Sequence, residues 1–305
     1  MSESLLQAKL ANIARAASQR KTVLINDEET TYWFYPRRNQ KAKHKRAIVF
    51  IHGYRGNHHG LEAIAGAIED FDIYIPDLPG FGQSAPFQIN HSVNHYADWL
   101  AAFITSLKLG ANKPHLLGHS FGSIVVSAYA SRYEGIATLI LENPVASPAL
   151  KGPKALMTAV AQSFFWLAGV MPESVGDFLL KSWPMVRGMS IVMTKSRAKE
   201  LRAWVHRQHD ENFNDYASRR VALEGYTASI SNCVSDFAPK LKVPVLMMVG
   251  ERDDITSVAQ QEKLFALIPS SQKQLERFGK VGHLTHYEIP TQIGEAISKW
   301  ADSHD

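Results

Sequence analysis

Residues 115–129 read His-Leu-Leu-Gly-His-Ser-Phe-Gly-Ser-Ile-Val-Val-Ser-Ala-Tyr, and the reading of this stretch decides the fold. Within it, Gly118-His119-Ser120-Phe121-Gly122 matches the pattern G-x-S-x-G. A serine hydroxyl is a weak nucleophile in water, so it must be held exposed beside a base. A sharp strand-to-helix turn does this, and it closes only when the residues flanking the serine are small, as Gly118 and Gly122 are. Residues 114–117 form an apolar run suited to a buried parallel strand, and Ile124, Val125, Ala128 and Tyr129 recur at helical spacing. The motif therefore lies between a strand and a helix, the context its chemistry requires.

Working outward, the 305 residues are 45% hydrophobic and 20% charged, a globular composition with neither a disordered nor a disulfide-rich signature. Length suits either two units or one α/β domain with an insertion. Cys233 is the only cysteine, so no internal disulfide forms, and a cytoplasmic setting is the expectation. A net charge of +4 gives no footprint for nucleic acid. One basic cluster, Arg37, Arg38, Lys41, Lys43, Lys45 and Arg46, could meet an anionic surface, but a solvated loop accounts for it better.

Residues 1–20 predict an amphipathic helix with Leu6, Leu10, Ile13 and Ala17 on one face. It has no secretory h-region. A basic, acid-poor helix also suits an organellar transit peptide, but Glu3 and the regular apolar stripe favour docking on the body. Strand-like runs at 22–25 and 31–35 flank a polar turn and predict an edge hairpin. An apolar strand at 47–51 then runs into His52-Gly53-Tyr54-Arg55-Gly56, at the strand end where open α/β sheets place ligands. A short helix, a strand at 73–75, the loop 77–84 and a helix over 93–109 precede the quoted stretch. After a strand at 137–141 the alternation stops until 243, and the intervening residues read as helices, the profile of an inserted cap. Strand, helix, strand and helix then resume at 245–249, 258–268, 273–278 and 291–301. The expected units are the helix 1–20, an α/β core over 21–144 and 236–305, and a helical cap or lid over 145–235. Residues 155–172 carry no charge, yet both ends of the insertion must return to one sheet, so a membrane span is not expected.

Ser120 needs a base, and the base needs an acid to fix its tautomer. Of thirteen histidines, His283 follows the last strand and precedes the last helix, where a loop can fold back over Ser120. For the acid, Asp253 in Gly250-Glu251-Arg252-Asp253-Asp254 best suits the order serine, acid, histidine; Asp254 and Glu142 are the alternatives. The pairs His91/His95 and His206/His209 have metal-compatible spacing. No carboxylate or cysteine pattern completes either, so packing or surface roles are expected and no metal is assigned. Arg55, His58 and His59 flank the loop after the first apolar strand, and solvent exposure explains them as well as contact with an anionic substrate. Gly80 and Gly82 open no helix after a strand and are not a dinucleotide fingerprint.

With these residues in place, the chain resembles the α/β-hydrolase superfamily, in its branch with an inserted helical cap. The likeness runs from about residue 21 onward and rests on His52-Gly53, Asp77-x-x-Gly80-x-Gly82-x-Ser84, the Gly118–Gly122 turn, Gly250-x-x-Asp253 and Gly282-His283, in the family's order. Ser123 and Ser257 depart from it, standing where many relatives have glycine and proline. The resemblance implies a mostly parallel sheet with helices on both faces, and an oxyanion hole from the backbone N–H groups of Tyr54 and Phe121. It implies a cofactor-free serine hydrolase cleaving a carboxylic ester or thioester through an acyl-enzyme. C–C bond hydrolysis and acyl transfer use the same triad, and a ligand receptor with little turnover is an alternative of another class. The uncharged aromatic run in the cap places Phe165 and Trp166 as candidate walls of a pocket for a partly apolar small molecule.

Overall fold

The computed structural model describes residues 3–40, 46–148 and 155–304. Eight strands form one sheet: β1 (Gln19–Ile25), β2 (Glu28–Tyr35), β3 (Ala47–Ile51), β4 (Asp72–Pro76), β5 (His115–His119), β6 (Leu139–Glu142), β7 (Val245–Gly250) and β8 (Lys273–Phe278). Their spatial order is β1-β2-β4-β3-β5-β6-β7-β8. β1 pairs with β2, and β2 with β4, antiparallel, and the pairings from β4–β3 onward are parallel. The hairpin turns on Asn26 and Asp27, at φ 51° and 66°, a left-handed pair that suits the twist of the flanking strands and that Asn and Asp tolerate well.

β3, β5, β6 and β7 are buried along their whole length, which is why they read as unbroken apolar runs rather than alternating ones. Successive side chains still point to opposite faces. Val49 and Ile51 join one core with Tyr96, Trp99 and Phe103 of α3 (Val93–Ser106), Ile124 and Val125 of α4 (Phe121–Ala130) and Leu264 of α10 (Val258–Leu267). Ile48 and Phe50 join the other, with Ile64 of α2 (Glu62–Ala67) and Ile293, Ile297 and Trp300 of α12 (Pro290–Asp302). Each large side chain fully buried in these layers contributes about 1.5–3 kcal/mol.

The first helix, α1 (Glu3–Ala17), packs Ala14 into the second core, donates from Gln7 Nε2 to the Glu288 carbonyl at 3.0 Å and pairs Arg15 with Glu62 at 2.7 Å. It is shorter than the expected 1–20, because Gln19 and Arg20 are drawn into the sheet opposite Phe34 and Trp33. The segment between β6 and β7 holds α5 (Ala155–Val170), α6 (Glu173–Lys181), α7 (Trp183–Met193), α8 (Lys199–Asn212) and α9 (Arg219–Ser231). Among the described residues no helix is long and apolar enough to cross a membrane. One element went unanticipated: α11 (Thr285–Glu288), a single turn directly after His283. Of the basic cluster, Lys41, Lys43 and Lys45 lie outside the described residues, and Arg38 bonds the Gly66 carbonyl at 2.7 Å.

Candidate active site

Ser120 stands between β5 and α4 at φ 50° and ψ −118°, a backbone conformation that costs an L-residue of order 1–3 kcal/mol. The turn closes because its flanking residues lack a Cβ: one added at Gly118 would lie 2.5 Å from the Gly122 carbonyl oxygen, and one at Gly122 only 2.3 Å from that of Ile51. Ser123, where a glycine is common, donates its hydroxyl to the Ser120 carbonyl and accepts from the Val145 N–H at 3.3 Å, so the extra side chain ties the turn to the chain after β6.

The loops after β7 and β8 meet this turn. Ser120 Oγ lies 2.8 Å from His283 Nε2, and His283 Nδ1 lies 2.8 Å from Asp253 Oδ2. The other Asp253 oxygen accepts the backbone N–H groups of Ile255 at 2.6 Å and Thr256 at 3.3 Å, which aims the carboxylate before any substrate arrives. Asp254 points away and pairs with Lys195. Glu142, the third candidate acid, is fully buried at the end of β6 but turns toward Thr285 Oγ1 (2.5 Å) and His286 Nδ1 (3.3 Å). Its position opposite His119 in the β5–β6 register directs it to that side.

Phe121 is the first residue of α4, where backbone N–H groups have no intrahelical acceptor. Tyr54 is in the loop after β3, next to Gly53, where an added Cβ would lie 3.3 Å from Ser120 Cβ. That loop is held by His52, whose Nδ1 is 2.8 Å from the Gly53 carbonyl and whose Nε2 accepts the Leu78 N–H at 2.9 Å. These two bonds specify the Nδ1-H tautomer, and burial lowers the pKa of His52, keeping the ring neutral.

Arg55 and His58 are buried rather than solvated, at 0% and 2% exposure, so neither reading of them as free surface charges holds. Arg55, at φ 61°, reaches from the Tyr54 loop into the helical segment between β6 and β7. It donates to the carbonyls of Phe213 (3.0 Å) and Leu180 (2.9 Å) and to Asn214 Oδ1 (2.5 Å), and it lies over the rings of Phe213 and Tyr216. His58 Nδ1 bonds Asp77 Oδ1 at 2.9 Å and stacks on Trp33. His206 and His209 converge on the Ser190 hydroxyl at 2.6 and 2.7 Å, whereas His91 bonds the Tyr96 hydroxyl and His95 the Asn90 carbonyl, each at 2.8 Å, so each of these histidines has a partner of its own.

Beside Ser120 lies a cavity of about 70 Å³ that Met193, Gln208, His209, Asn212 and Phe213, from the helical segment between β6 and β7, line on one side. Its floor includes His119, His283 and His286. Burial lowers the pKa of His119, and that of His286 to about 3, so both rings are neutral at neutral pH. The cavity is roofed by α7 and α8, not by α5. Phe165 is buried behind Tyr54, with ring centroids 6.4 Å apart, and stacks on Tyr226 at 3.7 Å. Trp166 is 68% exposed, because the next residue along a helix points about 100° away and Phe165 takes the inward direction.

A serine at a strand-to-helix turn, with a histidine and a buried carboxylate brought to it from the last two strand loops of a mostly parallel sheet, is an arrangement that hydrolases built on α/β sheets share. A model of the alpha/beta hydrolase fold matches residues 46–290, and the chain belongs to that family. It is similar to Lipase 3 of Moraxella sp. (strain TA144), 26% identical over 254 residues that cover 79% of this chain and 72% of that lipase. It is also similar to a proline iminopeptidase of Lactobacillus crispatus (strain ST1), 23% identical over 91% of this chain and 96% of the peptidase. Among solved structures, an esterase from Exiguobacterium antarcticum superposes with a TM-score of 0.74 at 17% identity, covering 93% of this chain and all of the other. A lipase and a peptidase at nearly equal identity mean that the likeness identifies the hydrolase framework and not the bond cleaved.

Proposed function

We propose that this chain is a serine hydrolase of carboxylic esters or thioesters that works through an acyl-enzyme. The observation that carries the reading is the continuous line from Ser120 Oγ through His283 to the buried Asp253 carboxylate, with 2.8 Å at each junction. His283 takes the proton of Ser120 as the hydroxyl attacks the acyl carbon, and Asp253 stabilises the imidazolium that forms. The N–H groups of Tyr54 and Phe121 receive the oxyanion, at about 3 kcal/mol for each donor. His283 returns the proton to the leaving alcohol or thiol, then activates the water that releases the acid. This chemistry calls for no cofactor.

An acyl ester and a prolyl amide are the two bonds that these relatives leave open, so the test sets one against the other. The cavity of about 70 Å³ takes a short acyl group under the closed cap, and a longer chain requires the cap to yield. The test is turnover of a series of p-nitrophenyl esters from acetyl to hexanoyl, with a prolyl arylamide alongside. Multiple turnover of the esters supports the reading. Hydrolysis of the arylamide alone, or no turnover of any ester, overturns it.

A further inference from the structure

Glu142 has no place in the chemistry above, although it is fully buried within the same rim of strand ends. It sits at the end of β6, opposite His119 at the end of β5, with His286 above it on α11. One carboxylate oxygen, Oε1, accepts from the Thr285 hydroxyl at 2.5 Å and lies 3.3 Å from His286 Nδ1. The other, Oε2, has no hydrogen-bond partner, and neither does His119 Nδ1, which faces it at 3.6 Å. Two buried polar atoms left unpaired beside each other are costly and call for a third group between them.

The donor set specifies that group. Two imidazoles and one carboxylate offer ligand atoms that all lie within 4.8 Å of one another, the combination of an open zinc-type site. The Thr285 hydroxyl on Oε1 orients the carboxylate in the way outer partners orient metal ligands, and it leaves Oε2 directed at the gap. His119 and His286 both line the cavity beside Ser120, so a fourth ligand can be water from that side. A second cluster of the same composition, His58, His59 and Glu62, lacks this vacancy of charge: Glu62 already holds Arg15 at 2.7 Å, and His58 Nδ1 is taken by Asp77 at 2.9 Å.

We propose that His119, Glu142 and His286 bind a divalent transition-metal cation such as Zn²⁺, at a site opening on the cavity beside Ser120. Metal–ligand bonds of about 2.0–2.2 Å bring the three donors closer together than they stand now, a contraction that side-chain rotation supplies. The ion and its water then occupy the floor of a cavity of about 70 Å³, where an acyl group must enter, so binding inhibits hydrolysis. Only the inhibition rests on the proposed esterase activity; the binding does not.

The experiment titrates chelator-treated protein with Zn²⁺ against a chromogenic chelator, so that occupancy is read without turnover. One equivalent is expected for the wild type and for His283→Asn, with affinity at least about tenfold weaker in Glu142→Gln and His286→Phe. Binding that is unchanged in both of the latter variants overturns the site. So does binding lost in His283→Asn alone, which assigns the ion to the Ser120–His283 pair instead. Should the Glu142 and His286 variants fail to fold, Co²⁺ added to the wild type gives the answer. Intense visible bands of four- or five-coordinate cobalt support the site, and the weak spectrum of the hexa-aquo ion overturns it.

Discussion

The Asn143 side-chain amide donates to the carbonyl oxygen of His283 at 2.8 Å, and its own Oδ1 accepts the Gly250 N–H at 2.8 Å. Asn143, at φ 42°, thus links the end of β6 to the loop bearing His283 and to the strand end leading to Asp253. It also donates to Thr285 Oγ1 at 2.7 Å. Asn143→Ala strands these buried partners at about 1–3 kcal/mol each. Because a shift of about 1 Å at a catalytic group costs on the order of 10²-fold, kcat is expected to fall ten- to hundredfold with KM little changed. Wild-type kcat in a folded Asn143→Ala protein would show that His283 keeps its place without this clamp.

Ser120 is expected to react covalently with a fluorophosphonate, and Ser120→Ala to abolish both labelling and ester turnover. Members of a triad act as a unit, so the loss is of order 10⁴-fold or more. Labelling that persists in the alanine variant, located by peptide mass spectrometry, would move the nucleophile elsewhere.

Asp253→Asn replaces an acceptor of the His283 N–H by an amide and is expected to lower kcat by about 10³- to 10⁴-fold. Asp254→Asn, which removes the pair with Lys195 on a partly exposed carboxylate, serves as the control and stays within a few-fold of wild type. Equal losses in the two variants would contradict the assignment of the acid.

Burial holds His209 down to about 3 and His91 down to about 4, both below the value of about 6.5 for an unfolded histidine. The unfolded chain therefore takes up protons that the folded chain refuses. Stability is intact above pH 6.5 and falls as the pH drops from there toward 4, by about 1.4 kcal/mol per pH unit for each such histidine. Urea midpoints at pH 7, 6 and 5 measure the slope. His209→Gln is expected to make it shallower by that amount, and an identical slope would show that His209 is not buried uncharged.

Phe213 and Met193 roof the cavity, whereas Trp166 does not reach it. Phe213→Ala is expected to shift preference toward longer acyl groups, with kcat/KM rising about three- to fourfold for each methylene newly buried, at about 0.8 kcal/mol apiece. Trp166→Ala leaves the profile for soluble esters unchanged. The opposite result, a profile moved by Trp166 and not by Phe213, would place the acyl site under α5.

What could be read along the chain was local. The glycines around Ser120 announce a turn because no larger residue fits, and the apolar runs at 47–51 and 245–249 announce strands buried on both faces. The order of Ser120, Asp253 and His283 follows from the order of strands in such a sheet. By itself the sequence therefore determined the α/β-hydrolase fold and put three side chains at strand ends sharing one rim. Only the tertiary structure decided which carboxylate meets His283, since Asp253 and Glu142 both end strands and their directions depend on the register of β6 and the path of the loop after β7. It also decided that Arg55 is buried, because its partners come from α6 and from the chain after α8, more than a hundred residues away. The orientation of the helices between β6 and β7 was equally out of reach. Helical spacing shows that Phe165 and Trp166 face different ways, but which face turns inward is settled by how α5 and α9 pack together, and that depends on contacts no single helix encodes.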